Sequence, residues 1–274
     1  MTLVEASDGH AAREVEPWSE DKLFYVERYI DIFTKGMKDK WANLVYADLF
    51  AGPGININKD SREQSRGSAL LAVDAPFTKV FLSDADPDVV EALKARTTDQ
   101  DPGRVRVECL DCNEAATKAR EFLFPRGPGG GTLGLALLDP FAYQISFDSV
   151  RRLSAGLPLD LIVTFMTNFV RRFLYETSFG AGSDFERFMG TDEYLALRDE
   201  PTAAITRALL DMYERQLKSI DYRYADDDSR ILNTKRSTIY HLVFASKDPR
   251  GADFFKKISR VEPTGQRRLP GLSD

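Results

Sequence analysis

The chain has 274 residues, enough for one large domain with a full core; 43% are hydrophobic and 29% charged, which excludes a disordered, collagenous or repeat protein. A formal net charge of -6 argues against nonspecific coating of nucleic acid, because the mean field repels phosphates, although a local basic face is still allowed. No run approaches the ~18 apolar residues that cross a bilayer, and the first residues lack a basic segment followed by an apolar one, so a cytoplasmic protein without membrane contact is expected.

Residues 1–17 are polar and without period, and are expected to be a flexible N-terminus. Trp18 and Ser19 then look like a helix entry, with Ser19 as cap, and Leu23, Val26, Ile30, Phe33 and Met37 recur at helical spacing. From Leu44 onward short apolar runs at 44–50, 79–83, 104–110, 133–139 and 159–165 alternate with helical stretches at 67–75, 87–97, 113–123 and 146–154. This alternation predicts a doubly wound, mostly parallel sheet with helices on both faces and ligands at the carboxyl ends of its strands.

A helical insertion is expected over about 167–219, followed by an antiparallel strand pair at 219–225 and 237–245 that brings the sheet to seven strands. A helix near 251–260 closes the domain, and 261–274 reads as a flexible tail. The connector RGPGGG at 126–131 precedes a strand and reads as a surface turn. Cys109 and Cys112 form a C-x-x-C, but two Cys and two distant His are too few for a structural zinc site, and no metal is expected.

The strongest local signal is YADLFAGPG, Tyr46 to Gly54, which ends the first sheet strand. Glycines there let the backbone turn tightly and approach a nucleotide closely, making Asp48, Phe50, Ala51, Gly52 and Gly54 cofactor-binding candidates. The third glycine of a dinucleotide fingerprint is absent, since Ile57 stands in its place. The second strand ends in Asp84, whose carboxylate suits two ribose hydroxyls, and the third in CLDCN, where Asp111 could accept an adenine amino group beside Cys112. Either Asp also suits a helix cap.

The fourth strand, LALLDPF, carries Asp139, Pro140 and Phe141 at its carboxyl end, the candidate catalytic residues. A carboxylate and the following carbonyl can accept both hydrogens of an exocyclic amino group while an aromatic ring stacks on the base, an arrangement suited to methylating an amino nitrogen. Between the glycine loop and the next helix, residues 57–68 read as a lid whose Arg66 and Ser68 could meet substrate. Arg171 and Arg172, with Phe169, Phe173, Tyr175 and Phe179 nearby, are further candidates for contacting a nucleotide acceptor, although such aromatics also suit a core.

The motifs DLFAGPG (48–54), RGSALLA (66–72), LLDPF (137–141) and YHLVFASKDPRG (240–251) stand in the order and spacing of the three-Cys-motif partner proteins, and most of residues 20–260 resembles that family. The resemblance implies a Rossmann-like, class I S-adenosylmethionine-dependent methyltransferase. Gly52 and Gly54 would border the cofactor, Asp84 and Asp111 would hold its ribose and adenine, and Asp139 to Phe141 would face the acceptor. It also implies a companion radical enzyme, to which the family's cysteines belong. The family usually has Pro where this chain has Ala69 and Gly where it has Ala142. A nucleic acid base is the favoured acceptor; a small metabolite or peptide, or a noncatalytic role as the companion's partner, are the alternatives.

Overall fold

The structure, a computed structural model, describes residues 2–167, 179–197, 200–232 and 238–261. It corrects the expectation of a flexible N-terminus: β1 (Leu3–Glu5) and β2 (Ala11–Val15) form an antiparallel hairpin. Gly9, at φ 78°, supplies the left-handed residue of its turn, and the Ala6 amide donates to the His10 carbonyl at 2.9 Å. These strands are short and mostly half-buried, so they carry no apolar alternation of useful length.

Helix α1 (Trp18–Met37) starts directly after Pro17, which places Ser19 inside the first turn instead of at the cap. Tyr25, Val26, Tyr29, Ile30, Phe33 and Met37 form its buried face. After β3 (Asn43–Asp48), the segment expected to be a lid is a second hairpin, β4 (Ile55–Asn58) with β5 (Gln64–Arg66). β4 pairs in parallel with β2, giving a four-stranded sheet in the order β1-β2-β4-β5 with Ala6, Ala12 and Ile57 at its small core.

The main chain of alternation follows: α2 (Ser68–Asp74), β6 (Lys79–Asp84), α3 (Pro87–Arg96), β7 (Val105–Cys109), α4 (Cys112–Leu123), β8 (Thr132–Leu138), α5 (Phe147–Ser154) and β9 (Leu159–Phe165). Helices α6 (Asp184–Met189) and α7 (Thr202–Ser219) lie in the expected insertion, and β10 (Tyr224–Leu232), β11 (Thr238–Ser246) and α8 (Pro249–Ser259) end the described chain. The large sheet has seven strands in the order β10-β11-β9-β8-β3-β6-β7, and β11 runs antiparallel to both its neighbours. β8 is the central strand, and β3 lies next to it in the interior, paired in parallel with β6 and β8. β8 and β9 are buried at every position, as strands covered on both faces require.

β10 begins five residues later than expected. Tyr222 instead fills the core, where its hydroxyl donates to the Leu159 carbonyl at 2.8 Å, and the polar stretch that follows still pairs because an edge strand tolerates charge. No helix among the described residues is long and apolar enough to cross a membrane.

Candidate active site

The crevice opens where β3, β6, β7 and β8 end. Asp48, the last residue of β3, is fully buried; its Oδ1 accepts from the Phe50 amide at 3.0 Å and its Oδ2 from the Ser68 hydroxyl at 2.7 Å. Burial pushes this carboxyl up to about 7 against those two bonds, and the nearby Asp139 and Asp84 charges add to the rise. Asp48 thus braces the turn and ties it to the start of α2.

At Gly52 the chain takes φ 64°, and a Cβ there would lie 3.3 Å from the Arg13 guanidinium. Gly54, at φ 90°, faces the core: a Cβ would lie 3.1 Å from Leu70 and from Leu93. One glycine therefore serves the crevice and the other serves packing. Ala51 anchors the turn to the neighbouring strand end, its amide donating to the Ser83 carbonyl at 2.9 Å.

Asp84 ends β6. Its Oδ2 accepts from the Gly52 amide at 3.1 Å and from Arg13 Nη2 at 3.3 Å, and its Oδ1 from the Asp86 amide at 3.2 Å. Arg13 comes from β2 in the small sheet, and its buried Nε has no hydrogen-bond partner. Asp111 caps α4, accepting from the Asn113 amide at 2.9 Å, and its side chain is at the same time exposed to the crevice. Cys112 follows it, buried, with a thiol that burial pushes up to about 12. Cys109 and Cys112 are both free thiols, and no cluster of three or more metal-ligating side chains occurs among the described residues.

Asp139 follows β8 directly. Its Oδ2 accepts from Lys22 Nζ of α1 at 2.5 Å and its Oδ1 from the Thr164 hydroxyl of β9 at 2.6 Å. Burial alone would raise this carboxyl, but the Lys22 charge, the bonds from Lys22 and Thr164, and Arg13 outweigh it and hold it below the ordinary carboxylate range. Pro140 is buried, and Phe141 is 52% exposed at the rim. The loop that carries Phe141 is fixed by Asn113, which donates to the Gln144 carbonyl and accepts from the Ser146 amide at 2.8 Å.

These groups line two chambers that share Phe50 and Asp139 as walls. One, of about 260 Å³, lies among Phe50, Asp84, Asp111, Asp139 and Phe141. The other, of about 70 Å³, lies among Ser19, Lys22, Gly52, Ser68 and Asp139. Arg13 borders both.

The remaining candidates fall elsewhere. Arg66 pairs with Asp74 and lines a groove against α1, outside both chambers. Arg62, in the same 57–68 segment, pairs with Glu14 at 2.6 Å, within the small sheet's hairpins. Phe179 is buried against Phe185, with ring centroids 4.5 Å apart, and belongs to the core. Arg171, Arg172, Phe169, Phe173 and Tyr175 lie outside the described residues. Arg13 and Lys22, which the sequence reading did not select, are the two cations at the centre of the site.

No family model and no curated protein matches the chain. Among solved structures it is similar to protein LPL1258 from Legionella pneumophila, with 10% identity over 86% of this chain and 90% of that one, at a TM-score of 0.50. It is also similar to Trm1 from Pyrococcus horikoshii, solved with S-adenosyl-L-methionine, with 14% identity over 94% of this chain and 64% of that one, at a TM-score of 0.47. A third likeness is to the methyltransferase domain of a bacterial Hen1, with 14% identity, 82% and 100% coverage, and a TM-score of 0.40. Identities this low bear on the fold alone, a seven-stranded, mostly parallel α/β sheet.

Proposed function

We propose that the chain is an S-adenosylmethionine-dependent methyltransferase acting on an amino nitrogen, with a nucleic acid base as the favoured acceptor. One observation carries this: the carboxyl ends of the central strands bring Gly52, Asp84 and the Asp139–Phe141 segment to a single crevice. The structural likenesses are consistent with it, since two of those proteins are named for methyl transfer or were solved with the cofactor.

The residues present fit the cofactor. Asp84 offers a carboxylate at the place a ribose would reach, the bare Cα of Gly52 keeps the turn low, and the unpaired Nε of Arg13 is a donor suited to a carboxylate. The cofactor supplies an electrophilic sulfonium methyl. Asp139 would accept a hydrogen bond from the acceptor amine, keeping the nitrogen lone pair aimed at that methyl, and the nitrogen's proton would leave to solvent after transfer. For this, Asp139 must exchange the Lys22 ammonium for the acceptor, because Lys22 already makes the bond an amine would make. Phe141, exposed at the rim, would stack on the base.

Calorimetry tests the cofactor: S-adenosylmethionine or its demethylated product should bind, and Asp84→Ala should weaken binding by about 1.5–3 kcal/mol, the scale of hydrogen bonds to a charged acceptor. Binding of NAD with none of S-adenosylmethionine would overturn the assignment. Mass spectrometry of nucleic acids and metabolites from cells with and without the protein would then identify the acceptor by a methyl-sized difference. Asp139→Ala should lower turnover with it by about 2.7–4 kcal/mol while leaving cofactor affinity nearly unchanged.

A further inference from the structure

A second cavity lies at the opposite edge of the large sheet, where β8 and β9 begin and β11 ends. β9 runs from Leu159 to Phe165, so the two edges are about 20 Å apart at ~3.3 Å per residue. The cavity holds about 210 Å³. Its walls are apolar and aromatic, from Phe33, Met37, Trp41, Leu133 and Phe254. Asp160 and Asp248 are its acids, and Asp160 is the buried one, with 6% of its surface exposed.

The charges around this cavity are unequal in their partners. Arg250 closes on Asp248, with Nε and Nη2 donating to its two carboxylate oxygens at 2.8 Å each. Lys247 donates to the Ser154 carbonyl at 2.7 Å and lies 4.8 Å from the Tyr222 ring centroid. Both cations are thus committed to other groups. Asp160 accepts a neutral hydrogen bond from the Tyr29 hydroxyl at 2.9 Å, and no ion pair to it occurs among the described residues. Burial pushes its carboxyl up to about 6 against the Ser246 and Tyr29 hydroxyls; the Asp248 charge adds to the rise and the Lys247 charge opposes it. Gly251 leaves the carboxylate its space: a Cβ there would lie 2.9 Å from Asp160 Oδ2.

From this arrangement we infer that the cavity is a second ligand site, taking a small organic amine whose ammonium pairs with Asp160 and whose apolar body lies against Trp41, Phe33 and Phe254. A buried carboxylate whose hydrogen-bond partners are neutral hydroxyls, and whose neighbouring Lys247 is bonded elsewhere, gains from a cation that reaches it directly, and the apolar walls reject a free inorganic ion that would have to shed its water there. An anion is disfavoured at the same place, and a neutral isostere forgoes the ion pair.

The chain has two tryptophans, so Trp18→Phe leaves Trp41 as the sole indole reporter in the full-length protein. Titration with 2-phenylethylamine should change its fluorescence saturably, with at least tenfold tighter binding than 2-phenylethanol or 3-phenylpropionate. Asp160→Asn, which keeps an acceptor for Tyr29, should abolish that preference. Should this variant fail to fold, amide shifts in the otherwise wild-type chain decide the question: the amine should move Gly251 and the Trp41 indole and leave the Asp139 crevice unmoved. Equal binding of amine and alcohol, no saturable binding, or shifts confined to the crevice would overturn the inference and leave Asp160 as a tie between α1 and β9.

Discussion

Lys22 and Asp139 stand 117 positions apart in the chain and 2.5 Å apart in space, a pair that fastens α1 across the end of β8. Both side chains keep under a fifth of their surface exposed, so the pair is shielded from solvent more than an ordinary surface bridge. Lys22→Met should leave burial opposed only by Thr164 and Arg13 and raise the Asp139 carboxyl from its depressed position. In the wild type the pair's contribution is present above the ordinary carboxylate range and is lost as pH falls through the depressed folded value. In the variant, stability at neutral pH should drop by about 2–4 kcal/mol and fall further as pH rises. Urea denaturation against pH, with carboxyl-labelled aspartate followed by NMR, measures both; an unmoved Asp139 resonance would sink the assignment.

Arg96 does for the small sheet what Lys22 does for the site. Its side chain is 5% exposed and makes a two-pronged contact with Asp8 at 2.8 Å, while Nη1 donates to the carbonyls of Ala11 at 2.7 Å and Pro53 at 2.6 Å. Arg96→Ala strands those carbonyls and should cost about 1–3 kcal/mol. Limited proteolysis should then cut within residues 6–12 first. Arg96 also holds the Asp8 carboxyl down at about 2, so this anchorage is complete above about pH 4 and is lost as pH falls toward 2. Unchanged protection of the hairpin in Arg96→Ala would refute the lock.

The two glycines of the first turn should separate binding from stability. Gly54→Ala forces a side chain into φ 90° and against Leu70 and Leu93, and should lower stability by about 1–3 kcal/mol. Gly52→Ala is also strained, at φ 64°, but meets only the flexible end of Arg13, so it should cost less stability than Gly54→Ala and weaken cofactor binding. Thermal melts and calorimetry on both variants check the contrast; a cofactor-binding loss in Gly54→Ala alone would contradict it.

Asp48 gives the opposite pH sign from Asp139. Because its folded carboxyl sits at about 7, protonation favours the native state, and stability should decline as pH rises from about 4 to 7, by on the order of 4 kcal/mol. Asp48→Asn should flatten that slope. A slope unchanged by the substitution would place the titration on another group.

Much of this is legible in the sequence. The central strands announce themselves as unbroken apolar runs, and a polar residue closing such a run marks a strand end, which is how Gly52, Asp84 and Asp139 stand out. Arg13 and Lys22 were not legible. Their function depends on the register between a small sheet, a helix and strand ends far along the chain, and charged residues in a polar segment look alike until that register exists. The small sheet was missed for a related reason: strands of three to five residues carry too little periodicity, although Asp8-Gly9 is a hairpin signal. Arg66 misled because adjacency to Ser68 in sequence becomes opposite surroundings once α2 begins between them.

The reversed strand has a consequence for the chain's life during synthesis. β11 fills the slot between β9 and β10, so until Thr238–Ser246 has left the ribosome, β9 presents an unpaired edge. All seven residues of that strand, LDLIVTF, are apolar or buried in the finished protein, which makes the open edge a template for pairing with another nascent chain. Truncations that remove β11 should therefore accumulate as aggregates even though the proposed crevice, the central strands and the small sheet are all encoded upstream of the cut.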